Sequence, residues 1–111
     1  MTHGSSRSLA TPPDLPDQDK AEILHRLQPL LRHCGGRLVL FGSRARRDAR
    51  AASDIDLAIR GETPVPPALL AQARQALEDS RVPFRVDLLD YAAASPELQR
   101  AIDREGIEWT A

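Results

Sequence analysis

LFGSRARRDARAASDIDLAI, residues 40–59, decides how the rest of the chain is read. It joins the end of an apolar run, RLVLF at 37–41, to an alternating one, DIDLAIR at 54–60, through a segment too charged to serve as core. A short apolar run entered from glycines has the pattern of a strand, and the alternation marks a second one. On that second strand Ile55, Leu57 and Ile59 point to one face, while Asp54, Asp56, Ala58 and Arg60 point to the other. Between the strands, Ser43 to about Arg50 reads as a short helix.

Outward from this centre the punctuation is clear. DQDKAEILHRLQPLLRHCGG carries Ile23, Leu24, Leu27, Leu30, Leu31 and Cys34 at helical spacing, with Asp17 as its expected N-cap, Gly35-Gly36 as its stop and Pro29 as a possible kink. PPALLAQARQALEDS predicts a helix opened by Pro67, and FRVDLLD at 84–90 a third strand. SPELQRAIDREG predicts a last helix with Ser95 as N-cap, Pro96 at its first position and Gly106 as its end. The expected fold class is therefore α/β, a small mixed sheet of at least three strands packed with helices. Residues 1–16, rich in Ser, Thr, Pro and Gly, read as a flexible leader, and 17–111 as one domain.

Composition narrows the function classes. With 111 residues the chain is expected to hold one core and no second substrate domain, so a bulky acceptor must arrive with its own fold. Fifteen basic residues against sixteen acidic give a formal net charge of -1, which supplies no long-range attraction to nucleic acid or to an anionic membrane. Direct nucleic-acid binding is not expected. Fourteen of the fifteen cations are arginine, so no single arginine is informative by its type, and Arg44 and Arg50 read as a solvated helix face. The lone Cys34 rules out an internal disulfide and is expected to be buried; His25 and His33 lack a third metal ligand nearby. The absence of a membrane span or a signal-peptide pattern makes the cytoplasm the expected location.

The carboxylates carry the chemistry. Asp54 and Asp56 lie two apart on one strand, about 6.5–7 Å along it, and two anions that close repel unless a divalent cation is shared between them. Taken alone, Asp54 also reads as a turn cap and Asp56 as part of a solvated face. Gly42-Ser43 adds a second element: it follows a strand and opens a helix, so its N–H groups and hydroxyl are placed for an anion, with Arg46 one turn on able to return to that anion. Asp87, inside the apolar VDLLD, is costly to bury unless paired or bound to metal. Asp90 reads as a turn cap. Asp54, Asp56 and Asp87 on adjacent strands would gather three carboxylates around two metal ions, the arrangement used for in-line phosphoryl displacement.

Gly-Ser, an arginine three residues after the serine, about ten residues in all, Asp-x-Asp on a strand and a later Asp together resemble the signature of the DNA polymerase β-like nucleotidyltransferase superfamily. The short length, SDIDL at 53–57 and the tail ELQRAIDREGIEW resemble its minimal nucleotidyltransferase (MNT) members over about residues 20–108. The resemblance implies that Gly42, Ser43 and Arg46 hold the β- and γ-phosphates of ATP, that Asp54 and Asp56 ligate two Mg²⁺ ions, and that Asp87 serves the catalytic metal and the attacking hydroxyl. It further implies an antitoxin that transfers AMP to a HEPN-domain ribonuclease toxin. Two alternatives stand beside it: a catalytically weak protein that neutralises its partner by binding, and an aminoglycoside-like small-molecule transferase. Arg47 departs from the family pattern, which has glycine there, and puts either a left-handed backbone or substrate access in question. Oligomeric state stays open.

Overall fold

The computed structural model describes residues 15–47 and 53–109. The elements are α1 (Asp17–Cys34), β1 (Arg37–Phe41), α2 (Ser43–Arg46), β2 (Ile55–Arg60), α3 (Pro67–Glu78), β3 (Val86–Asp90), α4 (Pro96–Glu105) and β4 (Ile107–Trp109), with a 3-10 turn at Tyr91–Ala93. The proposed leader lies outside the described residues up to position 14, but Leu15 is buried in the core.

α1 buries Ile23, Leu27, Leu30 and Cys34 along one stripe and runs through Pro29 to Cys34. Gly35, at φ 61°, closes it in the left-handed conformation, with Gly36 N–H donating to the Leu31 carbonyl at 2.9 Å. Asp17 is not its cap. Pro16 stands at that position in extended conformation and makes no side-chain cap bond; its carbonyl accepts from Asp19 and Lys20, which places Asp17 in the first turn, where its charge suits the helix dipole. Pro67 opens α3, and Ser95 caps α4 by accepting from Leu98 N–H, both as the sequence suggests.

The sheet is mixed, in the order β3-β2-β1-β4. β1 pairs antiparallel with both β2 and β4, whereas β2 and β3 are parallel, the connection that α3 makes possible. β4 is a strand that the sequence reading misses, since IEW is too short to show alternation and gains its identity only by pairing with Leu38–Leu40. Leu38, Leu40, Ile55, Leu57, Ile59 and Leu88 pack with Ile23, Leu27, Leu30 and Leu77 in the larger core cluster. The alternate positions Val39, Phe41 and Ala58 pack with Ile102 of α4 in a second one. Asp56 shares the strand parity of Ala58, and so projects on the α4 side of the sheet. Among the described residues no helix is long and apolar enough to cross a membrane.

Candidate active site

β1 ends at Phe41, opposite Asp56 in the antiparallel register, and the next residue is Gly42. Gly42 has φ 76° and ψ -157°, a region in which L side chains are strained. A Cβ built there would lie 2.3 Å from Asp56 Oδ2. Glycine is thus needed twice, for its backbone angle and for the close approach of the loop to a carboxylate. Ser43 opens the single turn of α2, tied by Arg46 N–H donating to the Gly42 carbonyl at 3.0 Å.

The three aspartates share one end of the sheet. Asp56 and Asp87 are direct partners in the parallel β2–β3 register, and Asp54 stands two residues before Asp56. Asp54 and Asp87 are exposed; Asp56 is half-buried. Burial pushes the Asp56 carboxyl above the usual carboxylate range, helped by the charges of Asp87 and Asp54; Arg46 opposes the shift and Glu105 adds to it. A cation beside Asp56 would offset its repulsion with Asp87 and Asp54. The donor set is hard oxygen, which suits Mg²⁺. Among the described residues no three His, Cys, Asp or Glu side chains are drawn together closely enough to hold a metal ion.

Arg46 and the Gly42 N–H meet on one carboxylate of the protein itself. Gly42 N–H donates to Glu105 Oε2 at 2.7 Å, and Arg46 Nη1 donates to both Glu105 oxygens at 3.1 and 3.3 Å. Glu105 had no distinguishing mark in the sequence beyond its place before Gly106 at the end of a helix.

Arg44 corrects the solvated-face expectation. It is fully buried, its Nε and Nη2 donate to the Ser53 carbonyl at 3.1 and 2.7 Å, and its guanidinium lies 4.5 Å from the centre of the Phe84 ring. It thereby clamps the backbone immediately before Asp54. A buried arginine and a solvated one are the same letter in a sequence, and only the neighbours separate them. Arg50 lies outside the described residues. Arg47 adopts φ 66° and ψ 27° as the C-cap of α2, so the left-handed backbone expected of a glycine is present without one.

Other candidates resolve into structure. Asp90 is buried and accepts from Val65 N–H and Ala92 N–H, capping the turn after β3. Cys34 is buried, which pushes its thiol pKa up, and His25 and His33 are exposed. A groove of about 610 Å³ lies between α1 and the β1–β4 edge and includes none of the aspartates, so volume and chemistry point to different places. The chemistry is the firmer guide, since the carboxylates and the Gly42 loop meet elsewhere.

Residues 36–109 match the family model described as Polymerase beta, Nucleotidyltransferase. The chain belongs to this nucleotidyltransferase family. Its sheet, with a parallel pair carrying the aspartates and an antiparallel β1 leading into Gly-Ser, has the polymerase beta-like nucleotidyltransferase fold. One solved relative, described as a minimal nucleotidyltransferase, is 31% identical with TM-score 0.63, covering 82% of this chain and 92% of its own. A chain of a toxin–antitoxin complex solved with AMP-PNP is 25% identical with TM-score 0.62, covering 78% and 73%. A curated relative, "Probable protein adenylyltransferase MntA" of Haemophilus influenzae, is 40% identical over 62 residues, 56% of this nucleotidyltransferase chain. The chain spans about half the length of that relative, 54%.

Proposed function

We propose that this nucleotidyltransferase moves AMP from ATP to a hydroxyl on a partner protein, and that the partner is a HEPN-domain ribonuclease toxin which it neutralises in the cytoplasm. The observation that carries this reading is the pairing of Asp56 with Asp87 beneath a Gly42 backbone that approaches the Asp56 carboxylate too closely for any side chain. Backbone N–H groups and carboxylates at one end of one sheet support a site for a nucleoside triphosphate with its counterions. The partner is supported by resemblance to a curated relative named as a protein adenylyltransferase, and by a chain of a toxin–antitoxin complex solved with AMP-PNP.

In this reading Gly42 N–H, the Ser43 hydroxyl and the Arg46 guanidinium hold the β- and γ-phosphates. Asp54, Asp56 and Asp87 are the residues that would hold two Mg²⁺ ions. Bound Mg²⁺ supplies neutralisation of phosphate charge and a more acidic acceptor hydroxyl. The acceptor oxygen forms a bond to the α-phosphorus while the bridging bond to the β-phosphate breaks; pyrophosphate departs with the electron pair, and Asp87 is assigned the hydroxyl proton. The protein's own part is placement and charge balance. Arg47 would favour neutralisation by binding alone if it distorted the loop; its left-handed backbone, the conformation expected of the glycine it replaces, supports the catalytic reading instead.

Incubation with α-labelled ATP, Mg²⁺ and the product of the neighbouring gene tests the reading, with the Asp54→Asn, Asp56→Asn double variant in parallel. Label on the neighbour that is lost in the variant is the expected result. A stable complex without label in either protein would leave binding alone as the mechanism.

A further inference from the structure

Glu105 holds the donors that the proposed reaction needs for its substrate. Its carboxylate accepts the Gly42 N–H at 2.7 Å and a double contact from Arg46 Nη1 at 3.1 and 3.3 Å. A backbone N–H has one hydrogen and serves one strong acceptor at a time, so a phosphate oxygen on Gly42 and the Glu105 carboxylate exclude each other. Glu105 is also poorly placed on other grounds. It ends α4, where the helix dipole is unfavourable to an anion, and it stands in the field of Asp56. The Gly42 and Arg46 contacts offset these costs.

Its backbone is fixed even though its contacts are replaceable. Gly106 N–H donates to the Ile102 carbonyl at 2.8 Å, and a Cβ at Gly106 would meet Ile102 O at 2.4 Å and Val39 Cγ1 at 2.6 Å, so the end of α4 is seated tightly against β1. β4 follows at once and pairs with β1. Release of the carboxylate is therefore a side-chain rotation, not a movement of the helix.

We propose that Glu105 is an internal anion that occupies the triphosphate donors until nucleotide displaces it, setting nucleotide affinity by competition. This rests on the nucleotide-binding reading above. In the bound state Arg46 exchanges a carboxylate for a phosphate and Glu105 turns away.

The test is calorimetric titration of the full chain with a non-hydrolysable ATP analogue and Mg²⁺, comparing wild type with Glu105→Gln and Glu105→Ala, each checked for fold by circular dichroism. Both variants are expected to bind about tenfold more tightly or better, the scale of one charged hydrogen bond no longer displaced. Without nucleotide, the Gly42 amide proton resonance should move in Glu105→Ala. Equal or weaker binding in both folded variants, with wild type still binding, overturns the competition and leaves the nucleotide reading intact. Binding in none of the three overturns both. An unchanged Gly42 resonance shows that the contact is not formed in solution and overturns the proposal directly.

Discussion

Replacement of Arg44 by methionine removes the clamp on the strand entry to Asp54. The guanidinium gives two N–H donors to one carbonyl, at 3.1 and 2.7 Å, and stacks 4.5 Å from the Phe84 ring centre, with no exposure to solvent. Hydrogen bonds from a charged donor are worth about 1.5–3 kcal/mol net, and because both share one acceptor they count as a single unit. The desolvated ring contact adds about 1–2 kcal/mol. Methionine fills part of the volume and no longer has a guanidinium to desolvate, which returns about 1 kcal/mol. The expected loss is then about 2–4 kcal/mol, or a fall in Tm of roughly 10–20 °C for a domain of this size. Urea unfolding followed by circular dichroism measures it. Lysine at the same place keeps the charge without the planar fork and should lose about half as much. Under conditions where both variants remain folded, AMP transfer should fall in step with the loss of the Ser53 contact, because Asp54 follows that carbonyl. Unfolding of Arg44→Met within about 0.5 kcal/mol of wild type, the range of an ordinary surface substitution, would refute the reasoning.

Three further outcomes follow from the same geometry. Gly42→Ala should lose about 1–3 kcal/mol to backbone strain and, by pressing on Asp56 Oδ2, should abolish Mg²⁺-dependent binding of an ATP analogue; calorimetry and urea unfolding read the two effects separately. Arg47→Gly should raise the unfolding free energy by about 0.5–1 kcal/mol by relieving a left-handed non-glycine residue, measurable as a higher urea midpoint at unchanged slope. Asp56→Asn should stabilise the protein at neutral pH in the absence of divalent cations. The folded state holds the Asp56 proton more tightly than the unfolded chain does, so the charged carboxylate is destabilising above its folded pKa, and that cost disappears as pH falls through it. The stability gap between Asp56→Asn and wild type should therefore close on acidification, and a gap that widens towards low pH would contradict the assignment.

The amino-acid sequence by itself determined the local elements and the kinds of chemistry available. Strand alternation put Asp54 and Asp56 opposite Ile55 and Leu57, glycines ended β1 and α1 where the chain must turn, and Ser95-Pro96 opened α4, because each of these signals is written within a few neighbouring residues. What only the tertiary structure decided is the identity of partners distant in the chain. The register that sets Asp56 beside Asp87 depends on how α3 returns the chain to the sheet. β4 exists because β1 offers it an edge. Arg44 is buried because Phe84 and the Ser53 carbonyl converge on it, and Glu105 meets Gly42 across 63 positions because α4 packs on the same face of the sheet as Asp56. Side-chain type states what a residue can donate or accept, whereas burial and long-range pairing decide what it finds.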